Sequence, residues 1–380
     1  MKKILVIHNR YQEFGGEDNA VEKEVEFLTS HENFKVKSVF LQNSYKEIMK
    51  TILIFIFNRN IFFDLKIKNE IKKFNPDLIY VHNTWFIISL GLFKILKNLN
   101  INTVVKLHNF RYFCTHSLLA SNHFKNEIEC RACGNKRKKF IFFNKYFEES
   151  IFKSIFVLKY GKKYIKILKN SNFKIAVLND FHRNFIQSEF GINNNRIVII
   201  PNFIGVKNRN FIKNKEIIYA GRISHQKGIE FLVNEFVASD LIDYNLIIIG
   251  DGPQLNYFRN KFHYTNVIFL GYLQNEEVLK RIQNASCVVT ATKMFEGQPT
   301  LLCEASLSSK ISLFPNNGGI NEYFPNNYPF MFDNSKKSSL SKKLNLLLDE
   351  DLINLYEEKN YETITSILNK NKILEIFEKL

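Results

Sequence analysis

Phe295-Glu296-Gly297-Gln298-Pro299-Thr300-Leu301-Leu302-Cys303-Glu304 is the stretch whose reading decides the fold. Ahead of it, Cys287-Val288-Val289-Thr290 is a short β-branched run of the kind that forms buried parallel strands. Glu296-Gly297-Gln298 predicts a tight loop, and Pro299 suits a first helical turn, where no N–H is needed. The following helix buries Leu301, Leu302 and Ala305 and turns Thr300 and Glu304, four residues apart, onto one face. This order sets Glu296 at the C-terminal edge of a sheet, where open α/β sheets bind ligands. Glu304 lies a turn inside the helix, aimed at the same crevice, and the amides of the helix start form an anion site. Hydroxyls at both ends and phosphate between is the layout that such a site fits, and a nucleotide-sugar has it. The plainer alternative makes Glu296 a turn cap and Glu304 a solvated helix residue.

Working outward, a length of 380 residues implies two domains, each able to bury its own core. The net charge of +16 calls for an anionic partner: nucleic acid, phosphorylated substrate or acidic lipid. Met1-Lys2-Lys3 runs straight into the strand-like Ile4–Ile7, so no signal peptide is expected, and the apolar run Ile52–Phe57 is too short for a membrane span. Five cysteines in so long a chain fit a reducing cytoplasm better than a disulfide framework.

In the first half, strands are predicted at Ile4–Ile7, Phe34–Phe40, Leu78–Val81, Thr103–Leu107, Ile175–Leu178 and Ile197–Ile200, with helical stretches such as Trp85–Lys97 and Asp180–Phe190 between them. That alternation implies parallel β-α-β units. Gly15-Gly16 follows the first strand, and Asp18 is expected to cap the helix through Val21, Val25 and Leu28. His82 and His108 each stand just past a strand, on the ligand edge. Cys130 and Cys133 have the spacing of a zinc pair, which Cys114 with His116 or His123 would complete; ordinary free thiols are the alternative. From Lys136 to Lys169, lysines interleave with phenylalanines and isoleucines. Such a segment fits an interfacial helix on an anionic leaflet, or a solvated basic face over an ordinary core. Single-stranded nucleic acid would use similar chemistry, but no nucleic-acid module accompanies it.

In the second half, strand Glu216–Ala220 runs into Gly221-Arg222 and Lys227-Gly228, two cations arranged as a diphosphate clamp. Strands at Leu246–Ile249, Val267–Leu270 and Ile311–Phe314 follow, and Leu340–Leu348 and Ile364–Leu380 predict amphipathic helices. Asp349-Glu350-Asp351 lies in an apparent helix away from these sites and is not expected to hold a metal.

The segment EGQPTLLCE, together with Gly-Arg…Lys-Gly and the surroundings of Asp77–Trp85 and Leu107–Phe113, resembles the retaining family-4 glycosyltransferases of the GT-B fold. These landmarks occur in order over nearly the whole chain. The resemblance implies an α/β architecture of two Rossmann-like, doubly wound domains facing across a cleft. The domains would be residues 1–203 on the acceptor side and 204–361 on the donor side, with the last helix, about 362–380, packing back onto the first. It also implies that Glu296 contacts the donor sugar and Glu304 the ribose, and that Arg222 and Lys227 hold the pyrophosphate. Amides near Gly297, Gln298, Pro299 and Thr300 would assist, His108 would stand at the catalytic centre, Gly15 and Gly16 opposite the diphosphate, and Leu273 in the nucleobase pocket. Catalysis would then need no metal or cofactor besides the nucleotide-sugar, with UDP expected as carrier. The expected acceptor is a lipid-linked saccharide at the inner face of a bacterial membrane, with no nucleic-acid partner. A non-catalytic nucleotide-binding or membrane-tethering protein of the same fold, and a nucleotide-sugar epimerase, are the alternatives.

Overall fold

A computed structural model describes residues 1–12, 15–43, 54, 57–110, 151–205, 209 and 213–380. Its strands form two six-stranded sheets. The first contains β1 (Lys2–Arg10), β2 (Phe34–Gln42), β3 (Leu78–Val81), β4 (Thr103–Lys106), β5 (Lys174–Val177) and β6 (Ile197–Ile199), in the order β2-β1-β3-β4-β5-β6. The second contains β7 (Asn214–Ala220), β8 (Asn245–Ile249), β9 (Val267–Gly271), β10 (Ala285–Val289), β11 (Ile311–Pro315) and β12 (Met331–Phe332), in the order β12-β11-β10-β7-β8-β9. The strand pairs are parallel, with Ile4 opposite Leu78 and Val288 opposite Ser312. These are two doubly wound sheets of GT-B type.

Around the first sheet lie α1 (Gly16–Thr29), α2 (Ile61–Phe74), α3 (Gly91–Leu99), α4 (Ile151–Lys169) and α5 (Asp180–Phe190). Around the second lie α6 (Ile229–Val237), α7 (Leu255–Lys261), α8 (Asn275–Asn284), α9 (Thr300–Leu307), α10 (Ser339–Leu344) and α11 (Glu350–Ile367), and α12 (Lys370–Lys379) ends the chain. The central strands read as continuous apolar runs because both of their faces are covered. Leu5, Ile7, Ile79 and Val81 pack toward α2, α3 and α4, whereas Ile4, Val6, Leu78 and Tyr80 pack toward α1 and α12. Through Ile373, Leu374 and Phe377, α12 joins that second cluster, so the end of the chain packs on the first sheet.

Local chemistry moves several predicted boundaries. The Trp85–Lys97 helix starts only at Gly91, because residues 85–88 form turns and Ser89 takes a left-handed conformation (φ 67°). Asp18 is not the cap of α1: the helix begins at Gly16, and the Asp18 carboxylate accepts the Gly15 amide from within the first turn. Ile364–Leu380 is two helices, since the Asn369 side chain accepts the Lys372 amide and starts a new one. Leu340–Leu348 is likewise α10 followed by a 3-10 turn. Asp349 caps α11 by accepting from Leu352 N–H. The candidate zinc residues Cys114, His116, His123, Cys130 and Cys133, and the basic aromatic run up to residue 150, lie outside the described residues.

Candidate active site

Each sheet reverses its strand order once beside its first strand: between β1 and β3 in the first sheet, and between β7 and β10 in the second. Ligand crevices open at such points, because the neighbouring loops leave in opposite directions. Gly15, His82, Arg222, Lys227 and residues 296–299 stand on the loops that follow these strands, whereas His108 follows β4 and Leu273 follows β9.

On the first sheet, buried His8 meets the Asp18 carboxylate at 2.7 Å, and Asp18 also accepts the amides of Gly15 (3.0 Å) and Tyr11 (3.3 Å). This ties the loop after β1 down onto the start of α1. Gly15 sits at the helix cap, and a Cβ on Gly16 would meet open space. His82 Nδ1 and His108 Nε2 are 2.8 Å apart, with one ring donating and the other accepting. Burial pushes both imidazoles well below their usual range, and the neighbouring Lys106 charge adds to the shift, so the pair is neutral near pH 7. Beneath them Lys106 Nζ donates to both Glu24 oxygens at 2.9 Å, and the Tyr80 hydroxyl donates to Glu24 at 3.1 Å. Burial raises Glu24 and lowers Lys106, while each partner's charge opposes the other's shift. Glu17, His108 and Asn109 border a cavity of about 10 Å³, where Asn109 Nδ2 and the Tyr11 hydroxyl donate to Glu17.

On the second sheet, the loops after β7 and β8 interlock. Gly221 N–H donates to Ile249 O (3.0 Å) and Ile223 N–H to Asp251 O (2.8 Å). Gly250 (φ 134°) makes this possible, since a Cβ there would overlap the Gly221 carbonyl. Arg222 projects into solvent, and no carboxylate among the described residues pairs with it. Lys227 Nζ lies 2.6 Å from Glu296 Oε1, which Thr292 Oγ1 approaches at 3.4 Å. The two halves of the expected clamp and sugar site therefore touch each other. Gly228, at φ 71°, lets the Lys227 turn lie against the Ala291 carbonyl.

The Glu296 loop is anchored to the first sheet. Asn179 Nδ2 donates to Gly297 O (2.8 Å) and Gly319 O (3.0 Å), and Gly319 N–H donates to Glu296 O (3.0 Å). Gln298 exchanges bonds with the Asn202 backbone: the Asn202 amide donates to Oε1 at 2.5 Å, and Nε2 donates to Asn202 O at 3.1 Å. The Gln298 side chain is thus engaged in joining the halves. Thr300 N–H is taken up by Gln298 O, and Pro299 stands at the cap of α9 rather than in its first turn. Buried Glu304 faces Lys23 of α1 at 3.4 Å, across the crevice. Leu273, beyond β9, is half-buried against the second core and lies apart from this cluster in the strand order.

Sequence reasoning missed Lys23, Asn179, Asn202 and Glu322, whose carboxylate accepts the Asp180 (2.8 Å) and Phe181 (2.7 Å) amides. Asn179 alone carried a signal, as an Asn directly before a helix.

Comparison with known proteins agrees with this architecture. Residues 204–364 match the family model described as Glycosyl transferases group 1. A search of curated protein sequences finds no match. Among solved structures, HepE of Anabaena, crystallised with UDP and glucose, aligns over 100% of both chains at 13% identity and a TM-score of 0.69. Sucrose-phosphate synthase of Thermosynechococcus elongatus aligns over 100% of this chain and 98% of its own, at 14% identity and 0.69. TarM, one structure of which is from S. aureus, aligns over 80% of this chain at 20% identity and a TM-score of 0.56, and this chain spans only 54% of TarM's length. The chain thus has the two-sheet GT-B fold, and its segment 204–364 matches the glycosyl transferases group 1 family.

Proposed function

We propose that the chain is a retaining glycosyltransferase of family 4 that moves a sugar from a nucleotide diphosphate, with UDP as the carrier, to an acceptor hydroxyl. The observation that carries this reading is the pairing of Lys227 with Glu296 at the reversal point of the second sheet, with Arg222 on the same loop as Lys227. Glu304 and Lys23 meet across the crevice beside them. Breaking the sugar–phosphate bond leaves its electron pair on the diphosphate and builds positive charge at the anomeric carbon. In this reading Arg222, Lys227 and the start of α9 would face the departing charge and stabilise it. The donor phosphate would compete with Glu296 for Lys227, releasing the Glu296 carboxylate toward the sugar. Glu304 would meet the ribose, and Leu273 the base. His108, neutral through burial, can donate or accept at a sugar hydroxyl without adding charge.

In this reading residues 1–203 form the acceptor side and 204–361 the donor side. The acceptor is a lipid-linked saccharide of bacterial surface-polysaccharide assembly, met at the inner face of the membrane, and no metal is needed. No helix among the described residues is long and apolar enough to cross a bilayer.

A thermal-shift series tests the reading. UDP and UDP-sugars should raise the melting temperature of the wild type and raise it less in Lys227→Ala. No response to any nucleoside diphosphate or its sugars would overturn it.

A further inference from the structure

One face of the first half of the molecule is built against the usual rule. In α2, Phe63, Asp64, Ile67 and Ile71 are buried, yet Ile61, Phe62 and Leu65 are 59%, 79% and 59% exposed. At about 100° per residue these three lie on one arc of the helix opposite its buried stripe, and Lys72 continues the same arc. Phe57, just before the helix, is 70% exposed as well. Scattered apolar residues need no explanation, but a contiguous cluster marks a contact surface.

Beside the cluster runs a groove of about 830 Å³ between α2, α3 and α4. Lys68, Lys94, Lys97, Lys163 and Lys166 line it. None of these five has a carboxylate within ion-pair distance among the described residues. The acid in the groove, Asp64, is held by Arg59 at 3.0 Å. The face therefore presents exposed phenyl and aliphatic groups next to lysines that no carboxylate among the described residues pairs with.

We propose that this face is the surface by which the protein docks on an anionic lipid membrane, with Phe57, Ile61, Phe62 and Leu65 entering the headgroup–acyl boundary and the groove lysines meeting lipid phosphates. A leaflet offers both chemistries, apolar below and anionic above. A second copy of the chain does not, because a twofold contact would set the same lysines against each other in a molecule already carrying +16. Nucleic acid would leave Ile61 and Leu65 with nothing to stack on. The inference gives the membrane partner of the proposed function its contact surface, yet it rests on geometry remote from the sugar site.

Vesicle flotation of the full chain tests it, with phosphatidylcholine vesicles against the same lipid containing about 30% phosphatidylglycerol. The wild type should float with the anionic vesicles, stay behind with the neutral ones, and be released by about 0.5 M salt, where the screening length falls to a few ångströms. Lys94→Ala with Lys97→Ala should weaken binding about tenfold or more, and Phe62→Ser with Leu65→Ser at least as much. Because all four side chains are in the groove or exposed, both variants should keep the wild-type circular dichroism and response to UDP. Unchanged flotation of both double variants would overturn the proposal, as would equal binding to neutral vesicles. So would absence of vesicle binding together with capture of inorganic polyphosphate or an acidic polypeptide. A wild type that floats but ignores UDP would leave the docking face standing and remove the glycosyltransferase reading alone.

Discussion

Asn179 offers the sharpest test of how the two halves are joined. It is buried, its Oδ1 accepts the His182 amide at 3.0 Å, and its Nδ2 donates to the carbonyls of Gly297 (2.8 Å) and Gly319 (3.0 Å). Asn179→Ala removes a helix cap, costing about 1 kcal/mol. It also removes two buried amide–carbonyl bonds at about 1 kcal/mol each, so the total is about 3 kcal/mol. Asn179→Ser can keep the cap and loses only the two cross-links, for about 2 kcal/mol. Asn179→Asp keeps the cap but turns an oxygen toward two carbonyls. It should be the worst of the three near neutral pH and improve in acid as the carboxyl takes up a proton. The measurement is urea denaturation followed by the fluorescence of Trp85, the chain's single tryptophan, which is partly buried against the core of the first sheet. Because Gly297 adjoins Glu296, the Ala and Ser variants should also bind UDP-sugar more weakly than their stability alone explains. A loss below about 0.5 kcal/mol in Asn179→Ala, or Ser as damaging as Ala, would refute the reasoning.

Two further outcomes follow from the geometry. Lys227→Ala and Arg222→Ala should each lower kcat/KM by about 30- to 1000-fold, the cost of about 2–4 kcal/mol of lost leaving-group stabilisation; near-wild-type turnover of both would contradict their roles. His182, which is buried with its pKa pushed down to about 3, should make the protein acid-sensitive. Its folded value lies below the unfolded value of about 6.5, so the unfolded chain binds the extra proton; stability is complete above that value and falls as pH drops toward 3. From about pH 7.5 to about pH 5 this contributes about 2 kcal/mol of loss, which His182→Leu should remove from the measured pH slope. An unchanged slope in the variant would count against it.

The local units were readable because they depend on neighbours in the chain. Val288 and Val289 had to be a buried strand and Leu301–Ala305 a helix, so Glu296 had to stand on the loop between them whatever surrounded it. The same logic placed Arg222, Lys227 and His108 at strand ends. It failed where a single backbone conformation intervened: Ser89 delays α3, and Asn369 divides the last helical stretch. Apolar periodicity does not register such breaks. Asp18 was misplaced for a related reason, because its partner His8 belongs to another element.

Composition and local pattern alone therefore determined that this is a two-part parallel α/β chain with cations and carboxylates at the ends of its strands. Only the tertiary structure decided which of them meet. Strand order sets β7 beside β10 and so brings Lys227 to Glu296, and the opposition of the two sheets brings Lys23 to Glu304 and Asn179 to Gly297 and Gly319. These contacts join residues from 69 to 281 positions apart. The geometry that selects them is the packing of whole elements, and neither the spacing of residues nor their individual preferences encodes it.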